Sequence, residues 1–111
     1  MKNKLLLLTL LLTAAVTSFA GTYTLKVTVN DSASVCYAAG SFNNWSTTAS
    51  PMTKLSDAPL VFTLDIEVAD ENVASTEYKF LSGPDWKYQQ KESSNFKLSE
   101  LTADGDIVTS F

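Results

Sequence analysis

The chain has 111 residues, with 12 acidic side chains, 8 lysines, no arginine and no histidine, and a formal net charge of −4. An acidic surface without arginine repels phosphate backbones, so nucleic acid is excluded as an expected partner. The length allows one small domain and leaves no room for a second core.

The first residues have the pattern of an export signal. Lys2 and Lys4 precede an apolar run over residues 5–16, and Ser18-Phe19-Ala20 places small residues before a cleavage point. This pattern predicts a secretory signal peptide over residues 1–20 and a mature domain over 21–111, secreted to a periplasm or outside the cell. A retained N-terminal helix is the alternative. The run is short for a bilayer, so no membrane span is expected in the mature chain.

Loss of the two leading lysines makes the mature domain more acidic. It would hold 6 basic and 12 acidic side chains, so its net charge would be 6 − 12 = −6. This balance strengthens the exclusion of nucleic acid and disfavours an acidic polysaccharide as the ligand.

Alternation of apolar and polar residues predicts β-strands along most of the mature chain. The predicted strands cover residues 22–29, 34–39, 61–68, 78–80, 86–90 and 106–111. Turn-rich segments separate them, and one helical turn fits residues 69–76. Short strands punctuated by turns predict an antiparallel β-sandwich.

Cys36 is the only cysteine, so no disulfide can form within the chain. Its neighbours in Val35-Cys36-Tyr37 favour a buried thiol that packs as a small apolar side chain. An exposed thiol that joins two chains is the alternative.

Two tryptophans close short polar motifs at the ends of β-patterned runs: Trp45 ends the motif over residues 40–45, and Trp86 ends the run over residues 78–86. A flat ring beside amide and ammonium groups suits the apolar face and the hydroxyl rim of a sugar. Either indole could instead fill the core of so small a domain. Lys79 must point away from Tyr78 and Phe80, either toward a ligand or into solvent.

Three further residues near the tryptophans are candidates for the same surface or for its framework. Asn43 and Asn44 tolerate left-handed backbone angles and are expected to aim Trp45, while Asn44 is also a candidate to bond sugar hydroxyls. In the predicted strand over 86–90, Tyr88 lies one pleat beyond Trp86 and either extends an aromatic platform or packs.

The motifs occur in an order that resembles a known family. The segments Ala39-Gly40-Ser41-Phe42-Asn43-Asn44-Trp45, Pro51-Met52-Thr53, Glu77-Tyr78-Lys79-Phe80 and Asp85-Trp86 resemble the glycogen-binding domain of the AMP-activated protein kinase β subunit. More broadly, they resemble the carbohydrate-binding modules of family 48. The resemblance implies an immunoglobulin-like, early-set β-sandwich that binds α-1,4-linked glucans such as glycogen or starch and does not catalyse a reaction on them.

The resemblance also implies site residues. The first Trp, the Lys of Tyr-Lys-Phe and the second Trp of the family carry over to Trp45, Lys79 and Trp86. A family Leu near the last strand corresponds to Leu101. The family's Asn is missing, since Gly105 or Asp106 stands in its place, and an Asp at that point accepts hydrogen bonds but cannot donate as an amide does.

Catalysis has little support in the residues, so the chain is expected not to be an enzyme and to need no cofactor or metal. The chain has no histidine, so the single cysteine lacks a general base. Asp65 and Glu67 are predicted on the same solvent-exposed face of one strand, whereas a glycosidase needs two carboxylates that face each other across a cleft. The alternative function is a secreted protein–protein interaction module of the same fold, with a partner enzyme or uptake protein in a polysaccharide-uptake system. Two open indoles favour sugar, whereas one buried indole and a broad apolar patch favour a protein.

Overall fold

A computed structural model describes residues 20–101 and 107–111 of the chain. Within these residues the strands are β1 (Ala20–Val29), β2 (Tyr37–Gly40), β3 (Thr53–Asp57), β4 (Leu60–Ala69), β5 (Glu77–Leu81), β6 (Phe96–Lys97) and β7 (Ile107–Thr109). Short 3₁₀ turns cover Ser41–Asn43, Asp70–Ser75, Trp86–Tyr88 and Leu98–Glu100. The described chain is therefore all-β, as the alternating sequence predicts.

The strands form two sheets. One has the order β3-β4-β1-β7 and the other the order β2-β5-β6. Strands β1 and β4 pair antiparallel along their whole length, from Ala20 opposite Ala69 to Val29 opposite Leu60. Strand β7 pairs parallel with β1, and every other described pair is antiparallel. The long β1–β4 pair carries the clearest alternation in the sequence.

The two sheets bury one shared hydrophobic core. The four-stranded sheet contributes Leu25, Val27, Phe62 and Ile66, and the three-stranded sheet contributes Ala38, Tyr78 and Phe80. Each fully buried aromatic or branched side chain stabilises the fold by about 1.5–3 kcal/mol relative to an exposed one. Apolar faces from both sheets meet in this cluster, which is the arrangement of a β-sandwich.

The predicted strand over residues 86–90 is wrong. The segment begins with a 3₁₀ turn, because the Asp85 carboxylate accepts a hydrogen bond from the backbone N–H of Lys87 at 3.0 Å and caps it. Trp86 and Tyr88 consequently do not share a face through a strand pleat. The turn that begins at Gly83-Pro84-Asp85 therefore continues through Tyr88, where the alternation predicts a strand.

Other element boundaries differ less from expectation. Strand β2 begins at Tyr37 instead of residue 34, and the helical turn expected near residues 69–76 is present at Asp70–Ser75. Strands β3 and β6 were not predicted. In β3 the large apolar side chain of Leu55 is exposed, so the strand lacks a buried face, and β6 is too short to show a period.

The predicted burial of Cys36 is confirmed, since its side chain is 1% exposed. Burial raises the pKa of the Cys36 thiol to about 12, despite opposing contacts with backbone atoms of Leu81 and Tyr37. The thiol therefore stays protonated and unreactive at neutral pH.

Two expectations lie outside the described residues: most of the predicted signal peptide over 1–20, and the candidate ligand Asp106. In the described part of the chain, no helix is long and apolar enough to cross a membrane.

Candidate functional site

Trp45 lies in a loop over residues 41–52 that turns back along the outer edge of β2. The loop pairs with this edge through Ala38, whose N–H donates to the Ser50 carbonyl at 3.1 Å, and through Met52, whose N–H donates to the Cys36 carbonyl at 2.8 Å. Phe42 packs against the core. The loop thus begins at the Gly40 end of β2, where Trp45 lies, and its later residues return along the strand toward Cys36.

The side chain of Asn43 organises this loop. Its Oδ1 accepts from the N–H groups of Gly40 at 3.0 Å and Ser46 at 3.2 Å. Its Nδ2 donates to the Ala38 carbonyl at 3.0 Å and to Ser50 Oγ at 2.9 Å. The amide of Asn43 is fully engaged by the loop itself, so its role is to hold the backbone and not to meet a ligand.

Asn44 and Trp45 both adopt a φ of 59°, in the left-handed region. Asparagine visits this region readily, whereas a bulky residue such as tryptophan does so at a cost of about 1–3 kcal/mol. A hydrogen bond from the Trp45 N–H to the Gly40 carbonyl at 2.8 Å, together with the bonds of Asn43, holds the strained residue in place. The strain fixes the direction in which the indole leaves the loop.

Trp86 lies in a second segment, residues 82–90, which folds over the end of β5. The Ser82 N–H donates to the Tyr88 carbonyl at 2.9 Å, and the Gln89 N–H donates to the Trp86 carbonyl at 3.1 Å. The ring of Tyr88 rests on Gly83, where an added Cβ would lie 2.5 Å from Cδ2 of that ring. The close approach of backbone and ring needs glycine at this point.

The two tryptophans meet. Their ring centroids are 6.3 Å apart, and the ring planes are tilted by 38°. Trp86 is 39% exposed and Trp45 is half-buried. The hydroxyl of Thr47 donates to the Pro84 carbonyl at 3.3 Å and connects the two loops beside the rings. We call Trp45 and Trp86 together the indole pair.

Lys79 points away from its buried neighbours Tyr78 and Phe80, as the strand alternation predicts. Its ammonium donates to Gln89 Oε1 at 3.0 Å and approaches the Glu92 carbonyl at 3.5 Å. Lys79 is therefore held at the base of the Trp86 segment by a neutral amide, and it forms no salt bridge with any of the described residues.

The other predicted site residues in the described part of the chain are Asn44, Tyr88 and Leu101, and they have different environments. Asn44 is exposed beside Trp45. Tyr88 is exposed, but its ring lies against Gly83 with the Lys87 ammonium 5.2 Å from the ring centroid, so the pleat argument for an extended platform is wrong. Leu101 packs against the hydrophobic core.

Sequence reasoning missed two residues that organise this surface. Thr47 and Gln89 belong to no motif, and their roles depend on contacts with Pro84 and Lys79 that lie 37 and 10 positions away along the chain. The periodicity of a single segment contains no signal for such contacts.

Comparisons of the chain with family models, curated proteins and solved structures found no match.

Proposed function

We propose that this protein is a non-catalytic, secreted carbohydrate-binding domain that binds α-1,4-linked glucans on the indole pair. The single observation that carries the proposal is the pairing of two indoles from separate loops at 6.3 Å, with one ring 39% exposed. A small domain gains stability by burying such rings, so a Trp86 ring left exposed beside a half-buried Trp45 favours a ligand that covers it.

The proposed mechanism is recognition by stacking. The apolar face of a pyranose would cover the exposed indole of Trp86, and the tilt toward Trp45 would give a curved ligand two contact planes. Lys79 and Asn44 would bond hydroxyls at the rim. Sugar hydroxyls lose water on binding, so the net free energy should be modest, about 4 to 8 kcal/mol, or a Kd between micromolar and millimolar.

The loop framework supports the proposal because it prepares the surface before a ligand arrives. The bonds of Asn43 and the link from Thr47 to Pro84 fix both loops in the free protein. A site ordered in advance does not lose loop entropy upon binding. The fold we propose is the immunoglobulin-like, early-set sandwich that the motif order implies, and two sheets around one core support it.

An interaction module for a protein partner has less support. Among the described residues, the large exposed apolar side chains besides Trp86 and Tyr88 are Val35, Leu55 and Val108, which belong to three different parts of the chain. None of the three has a ring contact with the indole pair among the described residues, whereas a protein partner favours one continuous apolar patch.

Isothermal titration with maltoheptaose tests the function. We expect measurable binding to the unchanged protein, and a loss of about 1–3 kcal/mol when Trp86 is replaced by alanine. Val108→Ala shortens another exposed apolar side chain, on β7, and should leave affinity unchanged. Absence of heat and of any tryptophan fluorescence change up to millimolar glucan would rule the proposal out.

A further inference from the structure

Two consecutive glutamines have opposite environments. Gln90 is 3% exposed, its Oε1 accepts from the Phe80 N–H at 2.8 Å, and its Nε2 donates to the Ser94 carbonyl at 3.1 Å. It completes the backbone hydrogen bonds of β5 and is a structural residue. Gln89 is exposed, and its side chain meets Lys79.

The backbone places Gln89 on the same side as Lys79. Gln89 forms a bridge with Leu81, and its N–H donates to the carbonyl of Trp86. Because residues two apart on a strand share a face, and because directly paired residues share it too, Lys79, Leu81 and Gln89 project to one side. The Gln89 side chain therefore lies on the Lys79 side of the segment that carries Trp86.

The chemistry of lysine fixes the orientation of the amide. An ammonium group can only donate hydrogen bonds, so Oε1 of Gln89 must face Nζ of Lys79, which lies 3.0 Å away. The NH₂ group then points away from Lys79. It makes no hydrogen bond to any residue in the described part of the chain.

An amide held in this way is a stronger donor than a free one. The positive charge on the carbonyl oxygen polarises the amide and makes its N–H groups more acidic. The ammonium also keeps donor capacity, since its second contact, to the Glu92 carbonyl, is long at 3.5 Å. The Gln89 amide and the Lys79 ammonium are thus two donor groups at the base of the segment that carries Trp86, and an aromatic ring cannot by itself distinguish one hydroxyl arrangement from another.

We propose that Gln89 is a further ligand-binding residue, whose Nε2 donates to a hydroxyl of the glucose unit stacked on Trp86 while its Oε1 holds Lys79 in place. This inference rests on the proposed function. The amide and the ammonium together would select a sugar by its hydroxyl oxygens, and the indole pair would supply most of the contact area.

Gln89→Glu is the sharpest test, because it separates binding from positioning. A carboxylate keeps the size of the side chain and strengthens the contact with Lys79, but it has no N–H to donate. We expect the Kd for maltoheptaose to rise about 3- to 10-fold, the value of one hydrogen bond. Gln89→Leu, which loses both contacts, should weaken binding at least as much.

The matched control is Ser93→Glu, which adds the same charge at an exposed position of the neighbouring segment and should leave the Kd unchanged. Near-ultraviolet circular dichroism of each variant checks that the indole pair is intact. If Gln89→Glu binds as tightly as the unchanged protein while Gln89→Leu binds weakly, Gln89 only positions Lys79 and the inference is overturned.

The failures of the two proposals can be told apart. If the unchanged protein binds maltoheptaose and Trp86→Ala does not, but both Gln89 variants retain full affinity, only the role of Gln89 is wrong. If neither the unchanged protein nor any variant binds the glucan, the proposed function fails and the role of Gln89 fails with it.

Discussion

The two loops that carry the tryptophans are built differently. The loop over residues 41–52 is braced largely by side chains, chiefly Asn43 with further bonds to Ser46 Oγ, and it holds Trp45 half-buried in a left-handed backbone conformation. The segment over residues 82–90 depends mainly on backbone hydrogen bonds and the Asp85 cap, and it leaves Trp86 exposed. Trp45 is therefore the more constrained of the two rings, and Trp86 is the ring that a ligand can reach.

The largest expected effect comes from Gly40, the last residue of β2, compared with Gly83 in the second segment. A Cβ at Gly40 would lie 2.5 Å from the carbonyl oxygen of Glu77 and 2.8 Å from Cβ of Tyr78, whereas the nearest atoms to a Cβ at Gly83 belong to the ring of Tyr88, at 2.5 Å. An exposed ring can turn aside and a paired strand cannot. We expect Gly40→Ala to lower the free energy of unfolding by about 3 kcal/mol and Gly83→Ala by about 1 kcal/mol.

Urea denaturation followed by tryptophan fluorescence measures both values. Equal losses, or a greater loss for Gly83→Ala, would show that the first loop is no more rigidly built than the second.

A smaller effect is expected for Asn43→Ala, which leaves the Gly40 N–H and the Ala38 carbonyl without their side-chain partner. We expect a loss of about 2 kcal/mol in the free energy of unfolding, since uncompensated backbone groups are costly. Asn44→Gly is the control, because glycine accepts the φ of 59° and Asn44 is exposed. Similar thermal unfolding midpoints for the two variants would contradict the bracing role of Asn43.

The smallest effect on stability is expected for Thr47→Val, which removes the hydroxyl that reaches Pro84 without changing the side-chain shape. We expect about 0.5–1 kcal/mol in unfolding free energy. The circular dichroism that arises from coupling between two indoles 6.3 Å apart should fall in this variant. Thr48→Val, at an exposed neighbouring position, should keep the signal. An unchanged signal in Thr47→Val would mean that the loops hold their tryptophans independently.

The sequence predicts the fold well where alternation is strong. Strands β1 and β4 can be recognised in the sequence because one face of each strand, which includes Leu25 or Ile66, is buried and the other face is more accessible to solvent. The sequence predicts secondary structure poorly where a local hydrogen bond, and not the alternation of apolar and polar residues, decides the backbone conformation. Trp86 and Tyr88 have the spacing of a strand face, but the cap from Asp85 starts a 3₁₀ turn instead.

The site is predicted in its residues but not in its geometry. The motifs indicate Trp45, Lys79 and Trp86 individually, yet β2 and β5 are antiparallel, so the loops that follow them leave from opposite ends of the sheet. The first loop turns back along β2, and Thr47 within it reaches Pro84 in the second segment. This contact spans 37 positions and no local pattern encodes it, whereas the bonds of Asn43 reach no further than Ser50.

The return of the first loop also has a consequence for association. Strand β2 forms one border of the three-stranded sheet, and an uncovered border can recruit a strand from another molecule. Ser50 accepts from Ala38 along this border, and Pro51, which bridges Tyr37, has no N–H to offer an incoming chain. Residues 50–52 of the loop that carries Trp45 thereby block edge-to-edge pairing of β2 with another molecule.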